Sequence, residues 1–440
     1  MRILTHKSGK NAIMRYKNLY IKSLNFIKKK GGKMRTILHS DLNNFYASVE
    51  ALKHPEYDGK PLVVCGSVED RHGIVLAKNQ LAKQCDVKTG DVLWQAKQKC
   101  KDLVCVLADH SSYEQMSKKV RKIYERFTDN IEPFGIDECW LDVTDSTKIF
   151  GTGEQIAYKI KEAVKQELGL TVSIGVSFNK VFAKLGSDMK KPDAVTVIDV
   201  NNFKEKVWKL DAKDLLFVGK STYAKLNSIG VHTIGDIAKL DQSVLNNLLG
   251  VWGNTLYCYA NGLDNSPVEK NASEVKSISN SLTAYKDLYS FDEVKTLLLL
   301  LSESVASRLR ESGLGKAMTV RVSITDNTLQ TYGKQVKLVH PTNSAIDIAN
   351  SAYDLFEKVY KWNNPVRAAG VSICDFTHNQ EQIYIDLDNN KHDKIERLDQ
   401  AVDNIRKKYG NTSMQRATIL QDKKFASTDI KGDPFGKNID

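Results

Sequence analysis

Asp137 and Glu138 are adjacent carboxylates in the string Glu132-Pro-Phe-Gly-Ile-Asp-Glu-Cys-Trp-Leu-Asp-Val-Thr144, and they pose the first chemical question. Neighbours in a regular strand face opposite ways, so both can converge on one ligand only at a turn, which Gly135 just upstream allows. A third carboxylate, Asp41, ends the short apolar run Thr36 to Asp41. Three hard oxygen donors without a His or Cys cluster suit Mg²⁺ rather than zinc. Two such ions roughly 3.5–4 Å apart activate an attacking oxygen and stabilise a leaving one in phosphoryl transfer. Alone, an Asp-Glu pair is most often a solvated surface feature, so the surrounding strings have to decide.

The elements that must position these acids alternate between strand and helix. Thr36 to Asp41 reads as a strand leading into a helix over Phe45 to Lys53. Pro61 to Cys65 and Gly73 to Ala77 read as two strands of a small lobe, closed by helices over Lys78 to Lys83 and Val92 to Lys99. Helical periodicity runs from Tyr113 to Asn130 and from Gly153 to Leu168. Cys139 to Val143 and Thr171 to Ser177 alternate as strands. Such mixing predicts an α+β core. From Leu210 to about Pro267 the chain is helical, with glycine turns at Val218-Gly219-Lys220 and Gly250 to Gly253. Val268 to Val275 is a polar connector. Ser277 to Phe376 then follows the order β-α-β-β-α-β, with helices over Phe291 to Ser312 and Ala345 to Val359.

Length and charge bound the rest. The 440 residues hold no apolar run long enough for a membrane span, so no membrane role is expected. The net charge is +11, but residues 1–33 carry ten Lys or Arg and no acid, so the body is close to neutral and polyanion contacts must come from local patches. Gly31-Gly32-Lys33 before Met34 reads as a translated purine-rich ribosome-binding site. The expectation is that the protein begins at Met34 and that 1–33 is a basic extension outside it; the alternative is a basic arm that grips phosphates. Seven scattered cysteines with no C-x-x-C pair are expected to be reduced core thiols in a cytoplasmic protein. Gly219-Lys220-Ser221 imitates the end of a P-loop, but Asp214 stands where the motif needs its first glycine, which excludes that reading.

The strings Ser40 to Glu50, Glu132 to Thr144, Ser173 to Lys184 and Asp188 to Pro192 resemble, in order and spacing, the Y-family translesion DNA polymerases, in their bacterial, Gram-positive branch. The resemblance spans about Met34 to Gly410. It implies a multidomain right-hand polymerase: palm over 34–52 and 110–198, small fingers over 53–109, and a helix-hairpin-helix thumb over 199–267. A linker at 268–276, a β-α-β-β-α-β little finger at 277–378 and a C-terminal tail at 379–440 complete it. The activity implied is template-directed, low-fidelity DNA synthesis across lesions, by attack of a primer 3′-hydroxyl on a dNTP.

By the same resemblance Asp41, Asp137 and Glu138, with the backbone carbonyl of Leu42, hold two Mg²⁺ ions, Mn²⁺ being a substitute. Tyr46 falls on the steric-gate position that rejects a 2′-hydroxyl by a clash. Lys191 matches the palm lysine that offsets triphosphate charge, and Gln80 and Lys83 occupy the nucleotide-binding positions where Tyr and Arg are usual. Gly135 stands where Ser is common, and Phe217 where the thumb hairpin usually has Gly. Lys184 reads as a solvated helix face, the alternative being another phosphate contact. Arg308, Arg310, Lys316, Arg321, Lys334 and Lys337 are candidate contacts to the backbone of primer-template DNA. Gln382-Ile-Tyr-Ile-Asp-Leu387 resembles a sliding-clamp peptide, the alternative being a strand that continues the last domain. A terminal helix is expected over Leu398 to Ser413, with disorder after Gln421, and the protein is expected to be a monomer. Two rivals stay open at this point: a two-metal nuclease using the same acids, and a catalytically silent DNA-binding scaffold.

Overall fold

The computed structural model describes residues 34–66, 73–270, 274–377 and 389–428. The 1–33 extension and the clamp-like peptide 382–387 lie outside the described residues. Among the described residues the first element is β1 (Ile37–Leu42), followed by α1 (Phe45–Lys53), before the chain crosses into a small lobe of β2 (Leu62–Cys65), β3 (Val75–Lys78), α2 (Gln80–Gln84), α3 (Leu93–Lys99) and β4 (Val104–Leu107). Strand β2 pairs antiparallel with β3 and parallel with β4. Lys78 ends β3, and Asn79 caps α2 by accepting from the Ala82 N–H at 2.9 Å. Expected helix therefore gives way to strand plus cap, because an Asn side chain at this place satisfies a free helix N–H.

The main sheet follows. Helix α4 (His110–Tyr124) precedes β5 (Ile131–Pro133) and β6 (Glu138–Asp142). After the short α5 (Thr147–Phe150) come α6 (Gly153–Leu168), β7 (Val172–Ser177), α7 (Lys180–Met189) and β8 (Val195–Ile198). The strand order is β5-β6-β1-β7-β8, with β1 antiparallel to both β6 and β7. Helix α4 ends at Tyr124, earlier than the expected Asn130, where Arg126 N and Phe127 N turn back onto Ile123 O and Tyr124 O.

Alternation along β1 divides the sheet's two faces. Leu38 and Leu42 enter a core shared with Phe45, Tyr113, Tyr124, Ile156 and Ile160 from α1, α4 and α6. Ile37, His39 and Asp41 point to the opposite face, against α7. That helix lies unusually close: a Cβ on Gly175 of β7 would stand 1.9 Å from the Ala183 carbonyl oxygen, so only glycine permits the approach. Helix α7 is thus pressed over the strand ends that carry the acids.

A helical unit contains α8 (Phe203–Val207), α9 (Lys220–Asn227), α10 (Ile234–Lys239), α11 (Gln242–Leu249) and α12 (Val251–Ala260). The last unit runs β9 (Ser277–Leu288), α13 (Phe291–Ser312), β10 (Lys316–Asp326), β11 (Thr331–Thr342), α14 (Ala345–Val359) and β12 (Val366–Thr377), in the sheet order β11-β10-β12-β9. The chain is an α+β protein.

The C-terminal segment differs from expectation. Helix α15 spans Asn389–Tyr409 rather than 398–413, and α16 (Ala417–Leu420) and α17 (Lys423–Ser427) follow it. Ile419 and Phe425 are buried in the core beneath α13, and the Tyr285 hydroxyl donates to Asp422 at 2.9 Å. Residues 422–428 are therefore ordered, contrary to the expected disorder after Gln421. Their polar sequence conceals one apolar anchor, Phe425, that a neighbouring core accepts beside Ile419.

Candidate active site

Strand register brings the acids together. Asp41, near the end of β1, stands opposite Glu138, the first residue of β6, and directly opposed residues on adjacent strands project to one face. Asp137 sits one residue earlier, in a bend after Gly135, whose φ of +91° suits glycine and strains a side-chain residue. The Leu42 N–H donates to the Asp137 carbonyl at 3.0 Å, fixing this bend to β1. The Leu42 side chain is in the core, so only its backbone can face the site.

Helix α7 and the loop after it lay positive charge over the acids. Lys191 Nζ is 2.6 Å from Asp41 Oδ2 and 2.8 Å from Asp188 Oδ1. Lys184 Nζ is 2.7 Å from Glu138 Oε2, 3.5 Å from Asp188 and 3.6 Å from Asp41. The Lys184 side chain is only 15% exposed, which corrects its reading as a solvated face. Four carboxylates thus face two ammonium groups. Burial, then the charges of Asp41 and Glu138, push the Asp137 carboxyl up to about 6. Asp41 is raised too, by burial first, with Lys191 opposing.

His39 was not anticipated. It lies on the same face of β1 as Asp41, fully buried, and burial lowers its pKa to about 3, so the ring is neutral. Its Nε2 is 3.3 Å from Glu138 Oε2, and its Nδ1 is 2.9 Å from Ser187 Oγ. Alternation in β1 puts 39 with 41, and the i, i+4 spacing puts Lys184 and Asp188 on one face of α7, with Lys191 in the loop after it. The strand alternation and the i, i+4 spacing were available in the sequence.

The donor set suits hard divalent cations. It consists of carboxylate oxygens that repel one another, and Glu138 Oε2 has the Lys184 ammonium against it at 2.7 Å. Among the described residues no three His, Cys, Asp or Glu side chains are already drawn into a metal cage. The lysines hold the carboxylates instead.

The other predicted residues stand farther out. Tyr46 on α1 is half-buried, stacked on Tyr113 at 4.2 Å and 13°, and Tyr113 in turn donates to Glu50 at 2.7 Å. Gln80 and Lys83 are exposed on α2 of the small lobe. In the helical unit Phe217 takes a left-handed φ of +68° with its ring half exposed against Trp252 at 5.5 Å. Of the basic residues in the last unit, Arg321, Lys334 and Lys337 are exposed on β10 and β11. Arg310 is not available to DNA: its guanidinium is buried on Asp403 at 2.7 Å and Asp399 at 3.4 Å. Arg308 donates to the Ser279 carbonyl at 2.9 Å, and Lys316 pairs with Glu396 at 2.5 Å. Helix α15, unrecognised as a partner in the sequence, supplies the acids for Arg310 and Lys316.

A mixed sheet with acids at paired strand ends, lysines above them and a separate β-α-β-β-α-β unit defines the class of right-hand nucleotidyl-transferring polymerases. Residues 40–188 match the impB/mucB/samB family, and residues 275–386 match the C-terminal domain of the same family. The chain is 54% identical over 393 residues to DNA polymerase IV of Acetivibrio thermocellus, covering 88% of this chain and 98% of that one. It is 35% identical over 414 residues to DNA polymerase IV 1 of Bacillus subtilis, covering 93% and 98%. A solved Y-family DNA polymerase chimera of Dbh and Dpo4 superposes with a TM-score of 0.70 at 26% identity, covering 78% of this chain and 100% of the chimera. An insertion ternary complex of Dbh DNA polymerase gives 0.56 at 25% identity, covering 78% and 100%. The chain belongs to the Y-family of DNA polymerases and is a DNA-directed DNA polymerase. Among the described residues no helix is long and apolar enough to cross a membrane.

Proposed function

We propose that this polymerase extends a primer 3′-hydroxyl across damaged as well as intact template, with low fidelity, using two Mg²⁺ ions held by Asp41, Asp137, Glu138 and the Leu42 carbonyl, with Mn²⁺ able to substitute. The observation that carries the reading is the register: Asp41 opposite Glu138, Asp137 in the adjoining bend, all on the face covered by α7. When bound, the ions offset negative charge at the attacking and leaving oxygens. The chain's own part is to hold and orient. The β1–β6 pairing fixes two of the acids, and the Leu42 to Asp137 hydrogen bond fixes the third. Lys191 exchanges Asp41 for the incoming triphosphate, Gln80 and Lys83 approach it from the small lobe, and Tyr46, its ring braced by Tyr113, closes the space a 2′-hydroxyl needs.

On this reading 34–52 and 110–198 act as palm, 53–109 as fingers, 199–267 as thumb and 277–378 as little finger. Arg321, Lys334 and Lys337 contact the primer-template backbone, as do the amides of the hairpin before α9. The small lobe leaves few checks on base-pair shape, hence the low fidelity. The protein works as a monomer in the cytoplasm and docks on the sliding clamp through Gln382 to Leu387.

Primer extension with Mg²⁺ on intact and abasic templates tests this. The unaltered chain is expected to extend both, and the Asp137→Ala, Glu138→Ala double variant neither; equal product from the two chains defeats the assignment. Tyr46→Ala is expected to raise ribonucleotide incorporation, and unchanged discrimination removes the steric-gate role.

A further inference from the structure

The hydrogen bonds around Glu138 fix where protons sit. Ser187 Oγ donates to the Lys184 carbonyl at 2.7 Å, which spends its one hydrogen. It therefore accepts from His39 Nδ1 at 2.9 Å, and Nε2 of the same ring lies 3.3 Å from Glu138 Oε2. Glu138 and the ring beside it share a largely buried space. A carboxylate in such a place needs positive charge alongside. Lys184 supplies it: its ammonium touches Glu138 Oε2 at 2.7 Å and reaches Asp41 Oδ2 at 3.6 Å. Asp188, one helical turn on, offers the same ammonium a second partner at 3.5 Å, near the open edge of the cluster.

We propose that Lys184 is a positioning residue that acts as a resident counter-cation: in the metal-free protein its ammonium holds Glu138 and Asp41 in place, and divalent ions must displace it toward Asp188 in order to bind. This rests on the metal-site reading above. Its consequence is competition, so the lysine keeps the acids folded into place and weakens metal affinity until nucleotide and DNA add their own charge.

The test is Mn²⁺ binding without DNA or nucleotide, followed through the electron paramagnetic resonance of free Mn²⁺, together with thermal unfolding in EDTA. Lys184→Met is expected to bind Mn²⁺ roughly tenfold more tightly, since a like charge near the ion is gone, and to unfold at lower temperature in EDTA. Lys184→Arg is expected to bind as the unaltered chain does. Equal or weaker binding by Lys184→Met overturns the proposal, as does tightened binding by Lys184→Arg. Failure of every chain, the unaltered one included, to bind Mn²⁺ strikes the metal-site reading itself. Should Lys184→Met not fold, a crystal structure of the unaltered chain with Mn²⁺ decides: Lys184 Nζ moved to Asp188 supports the displacement, and Nζ still on Glu138 beside a bound ion refutes it.

Discussion

Two buried clusters of charge in this polymerase are built on opposite plans. The one beneath α13 sets Glu303, Asp399 and Asp403 against Arg310, Arg406 and Arg416, so acids and bases balance. Glu303 is bridged by Arg406 at 2.8 Å and Arg416 at 2.6 Å, and Asp403 also accepts from Ser307 at 2.7 Å. The cluster under α7 has four carboxylates against two lysines, and two of its acids are raised by burial and mutual repulsion. The choice of base follows the difference. Guanidinium forks lock a planar, many-bonded network, while ammonium groups are compact charges that can exchange partners. A balanced cluster with every bond made fastens the C-terminal helices. The unbalanced one keeps an excess of negative charge, which the proposed function assigns to divalent cations.

The comparison can be broken first where the effect is largest. Glu303→Ala strands Arg406 and Arg416 in the balanced cluster and is expected to destabilise the last unit by about 3–5 kcal/mol, read as a lower urea midpoint. A loss below about 1 kcal/mol would make that cluster ordinary surface pairing.

In the unbalanced cluster the sign should reverse. Asp137→Asn removes one of the repelling charges and is expected to stabilise the metal-free chain at pH 7.5 by roughly 1–3 kcal/mol while ending primer extension. Its pH dependence follows from the folded carboxyl lying near 6, above its ordinary value of 3.8. Because the folded state holds that proton more tightly, the unaltered chain gains stability as pH falls from above 6 toward 4 in EDTA, and Asp137→Asn loses this gain. Parallel pH profiles for the two chains would contradict the repulsion. The smallest effect belongs to an exposed pair. Lys316→Ala, which frees Glu396, is expected to change stability by about 0.5 kcal/mol or less and leave DNA affinity nearly unaltered.

Much of the active cluster was legible in the sequence because strand ends and a glycine bend announce it. Thr36 to Asp41 is a short apolar run ending on a carboxylate and Gly135 permits a turn, while the resemblance of the surrounding strings singles out Asp41, Asp137 and Glu138. That Asp41 faces Glu138 is a matter of register, which local pattern does not state. Lys184 was misread for a related reason: an isolated lysine on a helix is usually solvated, and only the close approach of α7 over Gly175 buries this one. The balanced cluster was hidden altogether. Arg310 and Asp403 are far apart in sequence, and α15 is so polar that nothing in its composition suggests burial. Helices Phe291–Ser312 and Ala345–Val359 match expectation to the residue, since periodicity and caps are local properties.

The central claim is that Asp41, Asp137 and Glu138 close around paired divalent ions. Anomalous scattering from Mn²⁺ in crystals grown with primer-template and a non-hydrolysable dNTP measures it directly. Two peaks within bonding distance of these three carboxylates are expected, with Lys191 turned to the triphosphate. Peaks elsewhere, or acids still bound to Lys184 and Lys191 with nucleotide in place, would contradict the account.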